Sequence, residues 1–297
     1  MDFIKNILSE IYSNNDMQRI IAGSNVKRKT TLRINTLKAD IQTVLSEINS
    51  LGVKYNTVPF SNTALIIEDG AEIIKNSSLF LNGNIYLQSL SSQLPPIILS
   101  PNENSDILDM TAAPGGKTTQ IAAITNNKCN ITACEMHANR AQRLKFNIEK
   151  QGVTCANVMV TDARKLESYF SFDKILLDAP CSGSGTFDLT NPKTYSGFTN
   201  TLIKKSMSAQ TALLDKAISV LKVGGELVYS TCSVLPKEND EIVKKVLSKH
   251  NCEIVPIDNE IRKNLPLLPC SLKDAICVCP TDEYEGFFVA KIKKTGN

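Results

Sequence analysis

The sequence predicts an α/β protein that consists of a doubly wound, mostly parallel sheet of seven strands and a small N-terminal α/β domain. From residue 89 onward, short apolar runs typical of buried strands alternate with segments of helical periodicity. Residues 1–88 contain shorter strands and helices, which favours a separate small domain. With 297 residues, 42% of them hydrophobic and 21% charged, the chain is long enough for both domains.

The N-terminal domain, residues 1–88, is predicted to place helices on one face of an antiparallel sheet. Its clearest helix spans residues 37–51, where apolar side chains recur at helical spacing and Gly52 follows as a stop signal. The other predicted elements are a helix over 3–21 and strands over 31–35, 53–57 and 64–67.

The second domain, residues 89–297, carries the seven strands of the predicted parallel sheet. These strands cover 106–110, 130–135, 157–162, 173–178, 225–230, 253–257 and 286–292. Helices are predicted between them over 117–124, 138–151 and 206–221, and Gly224-Gly225 is taken as the stop of the last one.

The net charge of the chain is only +3, but its basic residues are unevenly distributed. One segment without acidic residues holds five basic residues, Lys27, Arg28, Lys29, Arg33 and Lys38. A run of this kind is either a phosphate-contacting surface or an ordinary solvated face, and the sequence leaves both open.

The cysteines and the hydropathy pattern predict a location in a reducing cytoplasm. The nine cysteines are odd in number and scattered through apolar runs, and the N-terminus lacks the apolar core of a signal peptide. No stretch approaches the roughly 18 uninterrupted apolar residues of a membrane-spanning helix. We therefore expect a soluble protein that uses no membrane.

A turn of small residues follows the first strand of the large domain, where the backbone can approach a ligand closely. It contains Thr111, Ala112, Ala113, Pro114, Gly115, Gly116 and Lys117. The G-x-G-x-x-G fingerprint of dinucleotide sites is absent. Gly116-Lys117-Thr118 matches the end of a phosphate-binding P-loop, but Thr111 stands where its first glycine belongs. We therefore predict a ligand whose amino-acid part rests on the backbone.

Acidic residues end the next strands of the predicted sheet. In open α/β sheets, ligands bind beyond the carboxyl ends of the strands. Glu135 is placed to hold a ribose hydroxyl pair, and Asp162 to accept from an adenine amino group. Each could equally cap a helix, but their register favours a nucleoside pocket.

The fourth and fifth strands end in Asp178-Ala179-Pro180-Cys181 and in Thr231-Cys232. A single cysteine is more often a small buried apolar residue, whereas two beside an acid indicate chemistry. Methylation of cytosine at C5 needs this set, because a thiolate must add to C6 and an acid near N3 must stabilise the adduct. The residues alone leave Cys181 and Cys232 equivalent as nucleophiles.

These motifs together resemble a known family, the bacterial rRNA cytosine methyltransferases of the RsmB and RsmF type, or Sun family. The matching segments are Arg33-Ile34-Asn35-Thr36, 88–92, 109–118, 178–185, Ser230-Thr231-Cys232-Ser233 with Glu238-Asn239, and Gly286-Phe287-Phe288. They occur in order between residues 33 and 292, and three of them are strong in combination: A-A-P-G-G-K, D-A-P-C-S-G and S-T-C-S.

The resemblance implies a class I methyltransferase fold with an RRM-like N-terminal domain that docks RNA, either rRNA or tRNA, in a monomer without a metal. It implies S-adenosylmethionine as cofactor. It assigns Cys232 as the C6 nucleophile, Cys181 to product release, and Asp178 and Lys117 to the target base. The implied cofactor residues are Thr111, Ala112, Ala113, Pro114, Gly115, Gly116, Lys117, Glu135, Arg140, Asp162 and Asp178. Ser89 stands where the family usually has Asp, so no role is carried to it.

Three other interpretations compete with this one. Amino-group methyltransferases carry an Asp/Asn-Pro-Pro-aromatic string where this chain has Asp178-Ala179-Pro180-Cys181. A non-catalytic RNA-binding module would leave Cys232 without a purpose. A zinc site on Cys270, Cys277 and Cys279 lacks paired C-x-x-C spacing, and the chain offers only two histidines, His137 and His250.

Overall fold

The computed structural model describes residues 2–296, which begin with two helices where the sequence predicts one. Helix α1 is Asp2–Ile11 and helix α2 is Asn14–Ser24. The break occurs at Ser13, whose side chain accepts a hydrogen bond from the Asp16 amide and caps α2. Apolar side chains of both helices join the core of the larger domain. By packing, these helices belong with the large domain, although they precede the small sheet in the chain.

The small sheet is four-stranded and antiparallel, with the order β2-β3-β1-β4. Asp40 caps the first helix of this unit by accepting from the Gln42 and Thr43 amides, which explains why that helix begins later than residue 37. The elements are β1 Thr30–Ile34, α3 Ile41–Ser50, β2 Lys54–Val58, β3 Ser61–Asp69, α4 Ala71–Asn76, α5 Ser78–Leu81 and β4 Ile85–Leu87. Strands and helices share one apolar core, as predicted.

Helix α6, Leu90–Leu99, connects the two sheets and was not predicted. Eight of its ten residues are buried, and it contains Pro95 and Pro96. An almost uniformly buried helix has no polar face, so its sequence shows no helical periodicity.

The large sheet has nine strands in the order β11-β12-β13-β9-β8-β5-β6-β7, with β10 paired to β13. Strands β7, β6, β5, β8 and β9 are parallel, and β13 is antiparallel to β9. The strands are β5 Asp106–Asp109, β6 Asn130–Cys134, β7 Ala156–Met159, β8 Phe172–Asp178, β9 Leu221–Thr231, β10 Cys252–Val255, β11 Leu267–Leu268, β12 Ile276–Val278 and β13 Phe287–Lys294. The helices are α7 Gly116–Ile124, α8 Ala138–Lys150, α9 Asn200–Ser219, α10 Asp240–Leu247 and α11 Asn259–Arg262.

The predicted seven strands are all present, and the sheet gains two more, β11 and β12. They hold two and three residues, which is too short for a recognisable alternation. The last long helix also differs from its prediction, because α9 ends at Ser219 and Gly224 lies inside β9, at φ +82°. Gly224 is therefore an irregularity of the strand and not a helix stop.

Helices cover both faces of the large sheet, as the predicted doubly wound fold requires. One core cluster contains side chains of α1, α2, α9 and α10, and a second contains those of α6, α7 and α8. The carboxyl ends of β5 to β9 meet at one edge between these layers, where the candidate site lies. No helix within residues 2–296 is both long enough and apolar enough to cross a membrane.

The basic run that the sequence offered as an RNA surface is largely used inside the protein. Arg28 donates to the carbonyl groups of residues 185–187. Lys29 pairs with Glu68 and Glu283, and Lys38 donates to two main-chain carbonyls. Arg33 is 2% exposed and donates to Gln88 and Thr119. Of the five residues, Lys27 is the exposed one without such partners in the described chain.

Candidate active site

The small-residue turn between β5 and α7 is fixed from three directions. Gly115 has φ +112°, and a Cβ there would lie 3.0 Å from the Leu144 side chain, so glycine suits this position. Arg140 Nη2 donates to the Ala113 carbonyl at 2.9 Å. Thr111 Oγ1 donates to the Asp178 carbonyl at 2.8 Å. The turn is thereby held rigid under the open edge of the sheet.

Asp109 ends β5 just before this turn, and the sequence alone indicates no role for it. It is 1% exposed and accepts a hydrogen bond from Thr118 Oγ1 at 2.7 Å. Burial raises the pKa of this carboxyl to about 6, although the Thr118 hydrogen bond opposes the shift. Asp109 therefore ties the strand end to the first turn of α7 and also lines the smaller cavity of the site.

Two adjoining cavities lie above the turn and contain most of the predicted site residues. The larger measures about 750 Å³, in the range of small-molecule pockets. Its predicted lining residues are Thr111, Ala113, Glu135, Arg140, Asp162, Asp178, Cys181 and Cys232. The smaller measures about 290 Å³ and adds Ala112, Pro114, Gly116 and Lys117. Gly115 lines neither cavity and serves the backbone shape alone.

Glu135 and Asp162 stand at the ends of β6 and β7, where the sequence predicts them. Glu135 is 3% exposed, accepts from the His137 amide at 2.9 Å and lies 3.3 Å from Arg140. Asp162 accepts from the Arg164 guanidinium at 2.7 to 3.1 Å, and these hydrogen bonds lower its pKa. Asp162 also caps a short 3₁₀ turn by accepting from the Arg164 amide. It therefore has the capping role that the sequence left open, and it lines the larger cavity as well.

Cys181 and Cys232 meet across the ends of two neighbouring parallel strands. Asp178 of β8 is in register with Ser230 of β9, so the segments that follow leave the sheet side by side. The two Sγ atoms are 3.1 Å apart, and both cysteines are free. The hydrogen bond to Cys232 and burial together raise the pKa of Cys181 well above its usual value. Cys181 is therefore a protonated thiol at neutral pH.

Lys117 and Asp178 form an ion pair beside the cysteines. Lys117 Nζ lies 2.7 Å from Asp178 Oδ2 and 2.8 Å from Ser92 Oγ, and Ser230 Oγ donates to Asp178 Oδ1 at 2.8 Å. Burial opposes the charge on Lys117, but Asp178 outweighs that effect and raises the lysine pKa. Lys117 therefore stays charged, with its side chain 13% exposed and that of Asp178 30% exposed.

Glu238 holds both cysteine segments in position, a role that the sequence alone does not reveal. Its carboxylate accepts from the Ser182 amide at 2.7 Å and from the hydroxyls of Ser182 and Ser233 at 2.6 Å. Each serine directly follows one cysteine of the pair. The signal available was Glu238-Asn239 within the family motif, but spacing alone does not reveal that one carboxylate bridges two loops.

Glu285 lines the smaller cavity and was also missed. Ser89 Oγ donates to Glu285 Oε2 at 2.7 Å, and Ser91 Oγ donates to the Glu285 carbonyl at 2.7 Å. Ser89, the position that departs from the family pattern, therefore binds an acid that approaches from the far end of the chain. Their separation of 196 residues explains why no local pattern pointed to Glu285.

Comparison with known protein families agrees with this arrangement. The family model described as 16S rRNA methyltransferase RsmB/F matches residues 96–293, which include both cysteines and the whole turn. The chain belongs to this family. A second RsmB/F-type model, for a ferredoxin-like domain, matches residues 3–73. The RsmB/F assignment therefore extends over both sheets.

Individual RsmB/F-type relatives are similar over almost the full chain. Ribosomal RNA small subunit methyltransferase F of Shewanella piezotolerans is 35% identical over 100% of this chain and 64% of its own length. The human 28S rRNA (cytosine(4447)-C(5))-methyltransferase is 32% identical over 100% of this chain and 38% of its own. The chain thus spans less than two thirds of these relatives.

Among solved structures, a methyltransferase homolog protein from Pyrococcus horikoshii matches with a TM-score of 0.81 and 31% identity. The alignment covers 99% of both chains. The class I methyltransferase fold with a small N-terminal domain is thereby confirmed.

The zinc alternative finds no support in the positions of its cysteines. Within residues 2–296, no three or more His, Cys, Asp or Glu side chains are grouped as a metal site. Cys277 and Cys279 are buried in the apolar core, where burial raises the pKa of Cys279 to about 11. Such thiols stay protonated and pack as small apolar side chains.

Proposed function

We propose that the chain transfers a methyl group from S-adenosylmethionine to C5 of a cytosine in RNA, with the Cys232 thiolate as nucleophile at C6. The observation that carries this proposal is the Cys181–Cys232 pair, 3.1 Å apart beside the Lys117–Asp178 ion pair. Two free thiols next to a carboxyl group suit addition and elimination at a pyrimidine. Amino-group methylation needs neither thiol.

The residues of the larger cavity suit S-adenosylmethionine by their chemistry. Glu135 is a buried carboxylate at the end of β6, and such a group can accept from both ribose hydroxyls. The turn from Thr111 to Gly116 offers main-chain groups for an amino-acid moiety, and Asp162 can accept from an adenine amino group. When bound, the cofactor supplies an electrophilic methyl group.

The proposed reaction begins at Cys232. Its Sγ forms a bond to C6, which moves the electron pair of the 5,6 double bond toward C5 and makes that carbon nucleophilic. Negative charge that develops at N3 is stabilised by a proton that Asp178 donates in its acid form, and Lys117 holds that carboxyl group in place at 2.7 Å. Asp178 takes this proton back when the adduct collapses. After methyl transfer, a base removes the C5 proton and the Sγ–C6 bond breaks.

Cys181 suits the release step because its pKa depends on the state of Cys232. In the free enzyme the largest cause of its raised pKa is the hydrogen bond to Cys232. Once the Cys232 sulfur is bonded to C6, it is a thioether and no longer the thiol group of that hydrogen bond, so this cause is removed. Cys181 then gives up its proton to water more readily, and the resulting thiolate accepts the C5 proton as the Sγ–C6 bond breaks.

The RNA substrate is proposed from the resemblance and from the relatives' names. Both relatives described above are named as ribosomal RNA methyltransferases. We infer rRNA as the class to test first, with tRNA second, and the small antiparallel sheet of residues 30–87 as an RNA-docking unit. We further infer that the chain acts as a monomer.

Release of tritium from RNA tests the proposed function directly. In a transcript labelled with tritium at C5 of cytosine, C5 methylation replaces the label by a methyl group and releases it to water. We expect release that requires S-adenosylmethionine and equals the methyl groups incorporated. Methyl incorporation without tritium release would instead indicate transfer to an amino group and overturn the proposal.

Cofactor binding provides a separate prediction. Glu135→Ala and Asp162→Ala should each weaken binding of S-adenosylmethionine by about 1 to 3 kcal/mol, because each removes hydrogen bonds to the nucleoside. Isothermal titration calorimetry without RNA measures the change. Glu149→Ala is the matched control, since Glu149 is exposed on α8 and lines neither cavity. If all three variants bind S-adenosylmethionine with the same affinity, Glu135 and Asp162 cap helices and do not bind the nucleoside.

A further inference from the structure

A groove of about 680 Å³ runs between α9 and α10 on the surface of the large domain. Its floor is partly apolar, formed by side chains such as Met207, Ile242 and Val246. Its charged lining groups are Lys204, Lys237, Lys245, Lys249, Asp215 and Glu241. None of these charged residues belongs to a motif that the sequence reveals.

The four lysines are free to meet a partner. All four are exposed, and within residues 2–296 none of them forms an ion pair. Of the two acids, Asp215 is already engaged with His250 at 2.8 Å. Glu241 is the acid that remains to face the lysines. The groove therefore carries an excess of positive charge, unlike the basic run at residues 27–38, which is used internally.

The lysines follow the direction of the two helices. Glu241 and Lys245 lie one turn apart on α10, Lys237 lies in the short 3₁₀ turn just before that helix, and Lys249 lies just after its end. All four line the groove. Lys204 lies near the start of α9 on the facing side. Charge is thus distributed along the groove and not concentrated at one point.

The groove begins next to the proposed catalytic cavity. Ser208 lines both the groove and the larger cavity that contains Cys181 and Cys232, and Lys205 lines that cavity beside it. Helix α9 leads into β9 from the amino edge of the sheet, so its first turns stand at the carboxyl edge, where the cysteines are. The groove therefore leads away from the cysteines toward the opposite edge of the sheet.

We propose that this groove is the path of the RNA strand next to the target cytosine, with its lysines on the phosphates. The inference rests on the proposed function. An enzyme that acts on a base must take the base out of its stack, and the flanking strand then needs a surface to follow. A basic groove with a partly apolar floor suits single-stranded RNA, since lysines bind the backbone and the floor accepts sugars and bases.

The salt dependence of RNA binding tests this path. The probe is a single-stranded RNA of about 12 nucleotides with one cytosine, bound at about 50 to 200 mM KCl and followed by fluorescence anisotropy. In Lys245→Gln/Lys249→Gln, the slope of log affinity against log salt should fall by about 0.7 for each lysine lost. Lys204→Gln/Lys237→Gln should reduce it similarly at the end next to the cysteines.

The control variant removes the same charge at the far edge of the sheet. Lys128 precedes β6 and Lys222 lies at the start of β9, both at the amino ends of the strands. Lys128→Gln/Lys222→Gln should keep the wild-type slope, and a thermal melt should show all variants folded. Groove variants with the slope of wild type, or a control that loses as much, would overturn the proposed path.

The outcome for the groove is independent of the outcome for the proposed function. If wild type releases no tritium from C5-labelled RNA, the methyltransferase proposal fails whatever the salt slope. If wild type releases tritium and the groove variants keep its slope, only the RNA path fails. Cofactor affinity in the absence of RNA should be unchanged by either groove variant.

Discussion

Cys232→Ala should abolish methylation, with both tritium release and methyl transfer falling below detection. Without the thiolate no bond forms to C6, so C5 never becomes nucleophilic enough to accept a methyl group. No covalent complex with RNA should appear either. Cys252→Ala is the matched control, because Cys252 is a partly buried free cysteine in β10 that lines neither cavity.

Cys181→Ala should fail at a different step. Cys232 can still attack and the methyl group can still be transferred, but the C5 proton lacks its base. The enzyme should then remain attached to RNA and run as a protein–RNA band on a denaturing gel. The double variant should lose the band, because the trap depends on the Cys232 thiolate.

An RNA with 5-fluorocytosine at the target should trap wild type in the same way, since fluorine replaces the proton to be removed. The reverse pattern would exchange the roles of the two cysteines. If Cys232→Ala forms the band and Cys181→Ala does not, the nucleophile is the cysteine of the Pro180-Cys181 segment.

The ion pair between Lys117 and Asp178 should have the second largest effect. Lys117→Met removes the group that holds the Asp178 carboxylate at 2.7 Å, and methylation should fall by about 10² to 10³. Asp178→Ala leaves the ammonium of Lys117 buried with Ser92 as its remaining partner, which should cost about 1 to 3 kcal/mol of unfolding free energy. Rates come from single-turnover methylation, and stability from denaturant unfolding.

A double variant separates catalysis from stability at this pair. Lys117→Met/Asp178→Ala contains no unpaired buried charge, so it should recover part of the stability lost by Asp178→Ala. Its methylation should remain as low as that of the single variants. Recovery of methylation together with stability would mean that the pair acts on the fold and not on the target base.

The succession of strands along the chain and the turn after the first strand of the large sheet could be predicted from the sequence. Buried parallel strands appear in the sequence as short apolar runs. The turn from Asp109 to Lys117 is recognisable because its small residues determine the backbone conformation of that same segment. The same is true of the carboxylates Glu135, Asp162 and Asp178, since each lies within three residues of the end of its strand. The pairing of Cys181 with Cys232 follows from the register of two adjacent parallel strands.

Contacts between distant segments could not be predicted in this way. The sequence placed α1 and α2 with the small domain, but Ile4 and Leu8 pack in the large one. It offered residues 27–38 as a basic surface, but Arg33 is buried between the two sheets. The composition of a segment gives its number of charged residues. It does not indicate which hydrogen-bond or ion-pair partners those residues have in the folded protein.

What the sequence by itself determined are the features with a local cause: the seven main strands, the backbone turn, and the residue types of the site. What only the tertiary structure decided is how those residues are held and which charges stay free. Glu238 bridges the two cysteine segments, Glu285 meets Ser89 across 196 residues, and the lysines of α9 and α10 are left without ion pairs. The physical reason is that hydrogen bonding and charge pairing act through space, between side chains whose distance along the chain carries no signal.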